Sequence, residues 1–597
     1  MDKNKLSLLI ILLLALTTCM LTFIFLLKPL DVFIWDEAHH ALYGDWILRD
    51  IKNLDWGGFW RDTGTQAWWQ PLHSWVLAFF LLIFGRSFVV ARSVSLFFYF
   101  LTFFLVYLIS LKVSKQRGWL IAIIASALLA TSPFLLVLSS LNLQESMGAF
   151  VILVSAYVYL EAFDKRELRY FLLTGLLISI MLLTKYQFGV ILGGAILIAS
   201  LSKLWGISRY KEPVIEENLK STKKKKIPKQ PKTKKYKEKF SDLQKRPLLF
   251  WISENISMLL GFLPLTILWF AAPPYEKKFG LLLFRLKDVQ GWGRGLNFFE
   301  KLVLFLQSIV TSYTFSFWIG LLIVLTIFVA PFYFKNFKIR ALSLLFLFNW
   351  IFQSSLTNIY ERYISFTVPV LFIVCGYLLS DLAQKILVKK YKNIIIVLLI
   401  IFVPLVAYDL SRIVPYSRQV ANFALCSIVY NQNVKDIHPP FLFGLVERPK
   451  IFLPPNLLVD KYKPFKVRPK NSFADILNFF SDSIPKASSI STIMSMHKFS
   501  PYLLYWHFKD WGGLVLTGND YNIYPRYFWN AQYFLSLEVD ENSPFYAEIY
   551  ENCLKRWEEL GGPLIEKGYL NLFSRMYFPD LGISAKIYKR TSAPKRR

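Results

Sequence analysis

The chain has few cysteines, and it lacks the short motifs that hold nucleotides. Its four cysteines lie far apart along 597 residues, so they match no metal-ligand spacing and no disulfide framework. A bridge between Cys426 and Cys553 is the one pairing that an outward-facing location would allow. The sequence contains no glycine-rich phosphate loop and no Walker motif. These absences exclude a small disulfide-held scaffold and argue against an enzyme that uses cytosolic nucleotides.

Hydrophobic residues, in contrast, are abundant. They make up 55% of the chain, aromatic residues make up 17%, and the mean hydropathy is +0.40. This composition is typical of a polytopic membrane protein. The apolar run at 6–27 is long enough to cross a hydrocarbon core of ~30 Å. It is too long for a signal peptide and has no clear cleavage site, so we expect it to remain as the first span.

Hydropathy predicts about eleven transmembrane helices. The expected spans lie at 6–27, 88–111, 118–138, 146–162, 169–184, 187–205, 248–270, 314–334, 341–357, 364–381 and 393–409. A further apolar run at 76–84 is too short to cross the membrane, and we interpret it as an interfacial helix.

One lysine-rich segment contributes +10 of the net charge of +29. Between Arg209 and Arg246 there are 15 Lys or Arg residues and 5 acidic residues. Low complexity and prolines predict a disordered, solvated loop, for which binding to anionic membrane lipids is a secondary role. Stacking aromatics are not interleaved regularly through this run, so we expect no nucleic-acid partner.

The loops predict how the chain crosses the membrane. With a cytoplasmic N-terminus, every predicted inner loop is basic, as the positive-inside rule requires. These loops lie at 112–117, 163–168, 206–247, 335–340 and 382–392. The turn at 139–145 on the other side has no basic residue. We therefore predict a multi-pass plasma-membrane protein with a cytoplasmic N-terminus and an extracytoplasmic C-terminal domain.

Two domains are predicted, a transmembrane unit at 1–410 and an extracytoplasmic α/β domain at 411–597. The transmembrane unit contains three long loops. They are a tryptophan-rich outer loop with interfacial helices at 28–87, the lysine-rich cytoplasmic loop at 206–247, and an outer flap at 271–313. The C-terminal domain is inferred from strand-like runs that alternate with helical stretches. The predicted strands lie at 488–496, 514–517, 533–539 and 585–589, and the predicted helices lie at 472–482 and 543–560.

Charged residues remain at the predicted outer edge of the spans. The first span is followed by Trp35-Asp36-Glu37-Ala38-His39-His40, and Glu145, Lys185 and Arg362 lie at the outer ends of later spans. Each could be a side chain that reaches to the interface. As a set they predict a site, since ionisable groups at membrane depth are costly.

The chemistry that suits this set is transfer from a lipid-linked phosphate. A polyprenyl-phosphate sugar donor needs cations for its phosphate, which Lys185 and Arg362 can supply. Transfer to a hydroxyl acceptor needs one carboxylate as general base. The sequence offers both parts on one side of the membrane.

Three segments resemble a known family. The acidic pair followed by QPLHSWVLAFFLLIFGRSFVVARSVSL, then LTGLLISIMLLTK, then ERYISFTVPVLF, resemble segments of the GT-C glycosyltransferases. More narrowly, they are similar to protein O-mannosyltransferases and bacterial lipid A aminoarabinose transferases. The resemblance covers the layout of residues 1–410 and implies a GT-C-like fold there. The C-terminal domain resembles no family that we can name.

The resemblance also implies roles for single residues. It makes Asp36 the catalytic base, with Glu37 supporting it or contacting the acceptor. Glu145 would organise the site or a divalent metal, and Lys185 and Arg362 would contact the carrier phosphate.

The chain departs from the family at two places. Many relatives have an arginine shortly before the second acid, where this chain has Ser139, Ser140 and Asn142. The usual aromatic after the acidic pair is replaced by histidines. With Glu145, the three residues His39, His40 and His73 could ligate a divalent metal such as zinc or manganese. The alternative is that they are hydrogen-bonded interfacial histidines.

The predicted function is therefore an inverting membrane glycosyltransferase. The alternatives are an oligosaccharide ligase and a flippase or transporter of lipid-linked sugars. A transporter would favour internal repeats and charges near mid-span. The sequence shows no such repeat, and its charges lie at the ends of spans, which favours transfer.

Overall fold

A computed structural model describes most of residues 3–387 and parts of 473–591. The longer gaps lie at 208–246, 274–277, 281–296, 357–360, 388–472, 493–500, 509–514, 518–530 and 544–556. The predicted span at 393–409, the domain boundary near 410 and nearly all of the lysine-rich loop lie outside the described residues. So do the two cysteines of the suggested bridge.

The first region is helical throughout. Its helices are α1 (Lys3–Thr22, continued by a π-helical turn at Phe23–Leu27), α2 (Trp35–Lys52), α3 (Trp56–Thr65), α4 (Leu72–Phe84), α5 (Phe88–Val113), α6 (Gly118–Ala130), α7 (Pro133–Ser139), α8 (Glu145–Lys165), α9 (Leu168–Thr184), α10 (Tyr186–Ile207), α11 (Pro247–Ala271), α12 (Phe298–Thr311), α13 (Phe317–Val329), α14 (Phe337–Ser355) and α15 (Val368–Leu387). A 3₁₀ turn at Glu361–Thr367 precedes α15.

Several of these helices are long and apolar enough to cross a membrane. Within the described residues six qualify by length and composition, and α6 with α7 adds a seventh as a bent pair. Shorter apolar helices lie at Leu72–Phe84, Leu168–Thr184 and Trp318–Tyr333. The prediction of a polytopic helical membrane protein is thus confirmed, and 76–84 lies in a helix of only 13 residues.

The span predicted at 118–138 is broken. α6 and α7 meet at an angle of 71°. Pro133 lacks an N–H group and disfavours a helical conformation at Ser132, which is extended with φ −82° and ψ 105°. The bend therefore follows from one proline that the hydropathy profile does not register.

Close backbone contact joins α9 to α11. A Cβ atom added to Gly175 would lie 1.8 Å from the carbonyl oxygen of Met258, and one added to Gly261 would lie 1.9 Å from that of Leu172. Across the same contact, Ser179 donates a hydrogen bond of 2.5 Å to the carbonyl of Phe262. Small residues let membrane helices approach closely in this way. Van der Waals packing then stabilises the helix pair, because lipid provides little hydrophobic driving force for helix association.

Gly175→Ala is therefore expected to destabilise the protein by about 1–3 kcal/mol, because the two helices must separate to admit a methyl group. Thermal unfolding of the purified protein in detergent measures this loss. Gly193→Ala is the matched control, since its nearest neighbour is a side-chain atom of Ile178 at 3.4 Å. Equal unfolding temperatures for the two variants would contradict the close contact.

The loop at 28–87, which the sequence predicts to face outward, contains α2, α3 and α4. α3 begins at an Asp55 cap, whose side chain accepts a 2.8 Å hydrogen bond from the Gly58 amide. Trp75 on α4 donates to Thr63 on α3 at 3.0 Å. These bonds fix α3 across the start of α4 and leave Trp56 and Trp60 exposed.

The C-terminal region contains a five-stranded sheet with the order β2-β1-β3-β5-β4. Its elements are α16 (Phe473–Ser483), β1 (Ile490–Thr492), α17 (Pro501–Phe508), β2 (Val515–Thr517), β3 (Tyr533–Val539), α18 (Gly562–Glu566), β4 (Leu570–Phe578) and β5 (Ile583–Arg590). β1 is parallel to β2 and β3, whereas β5 is antiparallel to β3 and β4. α17 packs against α2, the helix that carries the acidic pair.

Candidate functional site

The acidic pair lies in the first turn of α2. Neighbouring residues of an α-helix project about 100° apart, because a turn contains 3.6 residues. Asp36 and Glu37 therefore meet different partners. Asp36 accepts a hydrogen bond from Arg362, whereas Glu37 is bound by Arg92.

Asp36 and Arg362 form the first ion pair of the site. Arg362 Nη2 lies 2.5 Å from Asp36 Oδ2, although the two residues are 326 positions apart in the chain. Burial opposes ionisation of Asp36, but the positive charge and hydrogen bond of Arg362 outweigh it and hold its pKa well below the ordinary value. Asp36 is thus charged in this state of the site.

Glu145 and Lys185 form the second ion pair. Lys185 Nζ lies 3.1 Å from Glu145 Oε1, and their side chains are only 6% and 2% exposed. Glu145 begins α8, where the helix dipole favours a negative charge. Lys185 lies at the junction between α9 and α10.

Arg362 joins the two pairs. Its Nε atom lies 3.8 Å from Glu145 Oε1, so Asp36, Arg362, Glu145 and Lys185 form a line of alternating charge, here called the charged quartet. Four of the residues predicted from the sequence thus meet at one end of the helical bundle. Their charges cancel, which makes their shared burial tolerable.

Aromatic rings surround the cationic end of the charged quartet. Lys185 Nζ lies 4.7 Å from the ring centre of Tyr363 and 4.9 Å from that of Phe188. The ring faces attract the ammonium group, and they exclude water that would weaken its interaction with an anion.

Glu37 is held by a partner that the sequence analysis missed. Arg92 contacts both of its carboxylate oxygens, at 2.8 and 2.9 Å, and also donates to the carbonyl of Val32 at 3.0 Å. The Asn142 amide donates to Glu37 Oε1 at 2.8 Å, and the Asn142 side chain donates to the Glu37 carbonyl at 3.0 Å. Arg92 falls inside the predicted span at 88–111, and an arginine there requires a partner. An arginine inside a predicted span would therefore have identified Arg92 as a candidate site residue.

The predicted histidines lie beside the charged quartet. His40 is 3% exposed and His73 is 1% exposed, and their ring centres are 4.9 Å apart. His39 lies farther from this contact, with its ring 6.4 Å from that of Trp69. Burial and the neighbouring His73 lower the pKa of His40 well below its ordinary value, so its imidazole is neutral.

The site residues do not fit a divalent metal. Asp36 and Glu145 already pair with Arg362 and Lys185, and a metal ion would have to displace these cations. In the part of the chain that the structure describes, no group of three or more His, Cys, Asp or Glu side chains is arranged to hold one. The suggested metal at His39, His40 and His73 gains no support here.

Comparison with known proteins agrees with this architecture. A family model for dolichyl-phosphate-mannose-protein mannosyltransferases matches residues 69–215. The fold is similar to that of ArnT from Cupriavidus metallidurans bound to undecaprenyl phosphate, with 12% identity and a TM-score of 0.55 over 98% of this chain and 99% of that chain. The archaeal oligosaccharyltransferase AglB from Archaeoglobus fulgidus, in complex with an inhibitory peptide and a dolichol-phosphate, is also similar. It has 12% identity and a TM-score of 0.50 over 99% of this chain and 74% of that chain.

A search of curated proteins found no match. The family-model match and the structural similarities confirm the predicted resemblance to the GT-C superfamily. The chain has the fold of a GT-C membrane glycosyltransferase with a sheet-containing C-terminal region.

Proposed function

We propose that this protein is a membrane glycosyltransferase that moves a sugar from a polyprenyl-phosphate donor to a hydroxyl acceptor on the outer face of the membrane. The reaction inverts the anomeric centre, and Asp36 is the general base. The observation that carries this proposal is the charged quartet, which places two cations beside two carboxylates at one end of an apolar bundle. Both structurally similar proteins were solved with a polyprenyl-type phosphate.

Lys185 and Arg362 bind the donor phosphate in this proposal. Arg362 offers a planar set of donors, and Lys185 offers a compact charge. The phosphate competes with Asp36 and Glu145 for these cations. Both cations then neutralise the phosphate as it leaves, which lowers the barrier more than protonation of a weakly basic leaving group would.

Arg362 also controls the base. While Arg362 binds Asp36 at 2.5 Å, the carboxylate is a weak proton acceptor. A phosphate that attracts Arg362 frees Asp36, and its affinity for protons rises. Asp36 then takes the acceptor hydroxyl proton as the oxygen attacks the anomeric carbon. The bond from that carbon to the phosphate oxygen breaks on the opposite face, and its electron pair stays on the phosphate.

The other two carboxylates position the site. Glu145 holds Lys185 at 3.1 Å and lies 3.8 Å from Arg362, so it sets the spacing of the two cations. Glu37 is bound on both oxygens by Arg92 and fixes the first turn of α2, and with it Asp36.

The position of the charges supports transfer over transport. Glu145 is the first residue of α8, Lys185 lies between two helices, and Arg362 lies in the turn before α15. A transporter of lipid-linked sugars would favour charges near the middle of its spans. Here the charged quartet lies at helix ends, beside the first outer loop.

The proposal is tested by transfer of radiolabelled sugar from a panel of polyprenyl-phosphate sugars to membrane extract. Transfer from one donor supports the proposal and identifies that donor, and a carrier bearing an oligosaccharide tests the ligase alternative. Absence of transfer from every donor, together with movement of a labelled carrier across vesicles, would replace the transferase by a flippase.

Lys185→Gln is expected to weaken binding of undecaprenyl phosphate at least tenfold, because the phosphate loses one of two charge-assisted hydrogen bonds. Titration of the detergent-solubilised protein, with the uncharged alcohol undecaprenol as reference ligand, measures the change. Lys185→Arg is expected to retain part of the affinity.

Lys203→Gln is the matched control. Lys203 also forms a buried pair with a glutamate, at 2.9 Å from Glu254, but it lies about 27 Å along α10 from Lys185. Both variants lose a buried ion pair. A difference between their affinities for undecaprenyl phosphate therefore reports the role of Lys185 in phosphate binding. Equal affinities in the two variants would contradict the proposed phosphate site.

A further inference from the structure

Two buried histidines lie against the charged quartet and take no part in the proposed transfer chemistry. His40 follows Asp36 by four residues on α2, so both side chains lie on the same face of the helix. His73 comes from the first turn of α4, and its ring centre lies 4.9 Å from that of His40. The indole of Trp69 closes one side, with its ring centre 5.1 Å from that of His40.

Among the described residues, neither ring nitrogen of His73 has a hydrogen-bond partner, although the side chain is 1% exposed. Gln144, directly before Glu145, has a buried amide oxygen that likewise lacks a partner in this part of the chain. A buried polar group without a partner is costly. Two such groups beside one charged cluster indicate that a ligand supplies the missing hydrogen bonds.

The location of His40 narrows the identity of that ligand. His40 lies one helical turn after Asp36. Its ring contacts that of Trp69, and Lys185 Nζ lies 5.9 Å from the centre of the same Trp69 ring. In an inverting transfer, the transferred group lies between the leaving phosphate and the base. The proposed phosphate site includes Lys185 and the proposed base is Asp36, so a sugar bound between them would contact the face of α2 that carries His40.

The chemistry of the pair fits a sugar hydroxyl. A neutral imidazole has one donor and one acceptor nitrogen, and a hydroxyl group is itself both donor and acceptor. The Trp69 ring adds an apolar face for the C–H groups of a pyranose. The positive charges of Lys185 and Arg362 disfavour a cation as the ligand of the two histidines.

We propose that His40 and His73 form the subsite that recognises the hydroxyl groups of the transferred sugar and so determine which donor is used. This inference rests on the proposed function. His73 acts by hydrogen bonding through its free ring nitrogens, with Gln144 as a second contact. Asp36 remains the base, and the histidines transfer no proton.

The test compares dissociation constants for undecaprenyl phosphate and for its glucose, mannose, galactose and arabinose esters. Wild type is expected to bind one ester at least tenfold more tightly than undecaprenyl phosphate itself. His73→Phe, which keeps the ring and removes both nitrogens, is expected to abolish that gain and to leave the affinity for undecaprenyl phosphate within twofold. His73→Asn, which restores a donor and an acceptor, is expected to recover part of it.

His507→Phe is the matched control, because it replaces a histidine of α17 with the same ring and is expected to keep the full gain. The inference is overturned if His73→Phe keeps the gain for the favoured sugar, if it weakens ester and bare phosphate equally, or if wild type gains nothing from any sugar. Failure of wild type to bind undecaprenyl phosphate at all would instead remove the proposed donor, and this inference with it.

Discussion

Asp36→Asn is expected to reduce the rate of sugar transfer by about 10²–10⁴-fold, the range that a positioned general base contributes. The amide keeps the size of the carboxylate but cannot accept the acceptor proton. Transfer of radiolabelled sugar from the donor that wild type uses measures the loss, with kcat and KM determined separately.

The two kinetic constants separate a base from a structural residue. Asp36→Asn removes the partner of Arg362, so Arg362 becomes more available to phosphate, and binding of undecaprenyl phosphate is expected to stay unchanged or to tighten. A loss confined to kcat is therefore the signature of a base. A large rise in KM would indicate that Asp36 contributes to donor binding instead.

Asp45→Asn provides the control on the same helix. Asp45 lies nine residues further along α2 and is also buried against an arginine, with Arg86 Nε at 3.2 Å. Its replacement removes a similar ion pair without touching the charged quartet. We expect near-normal transfer, and an equal loss in both variants would place the effect in the stability of α2 rather than in its chemistry.

The sequence predicts the spans well because hydropathy is a local property. The long apolar helices α5, α8 and α15 coincide with predicted spans, and charged residues stand out at their ends. Clustering of the candidate residues was also predictable, since successive spans alternate in direction and so bring alternate ends to the same side of the bundle. The break at Ser132 was missed because window-averaged hydropathy does not register a single proline.

The pairings between distant residues were not predictable from the sequence. Arg362 contacts Asp36 across 326 positions and Arg92 contacts Glu37 across 55, and no local pattern specifies such partners. β4 was missed for a different reason. Its residues are largely exposed on both faces, so they lack the alternation of apolar and polar residues that marks a half-buried strand.

Arg92→Met is expected to destabilise the protein by about 3–5 kcal/mol, since it leaves the charge of Glu37 buried without its strongest partner. Both side chains are at most 2% exposed, so water cannot replace the lost bonds. Thermal and denaturant unfolding in detergent measure the loss. Arg117→Met is the control, because its 2.7 Å pair with Asp381 is 14–20% exposed and should cost less.

A double variant distinguishes the destabilisation caused by an unpaired buried charge from that caused by lost packing. Glu37→Gln in the Arg92→Met background removes the unpaired buried charge of Glu37. We therefore expect the double variant to be more stable than Arg92→Met alone. Transfer should stay impaired in the double variant even where it folds, because the first turn of α2 is no longer held and Asp36 loses its alignment. Since undecaprenyl phosphate binds through Lys185 and Arg362, its affinity should stay close to that of wild type. Normal transfer in the folded double variant would show that Asp36 is positioned without the Glu37–Arg92 pair.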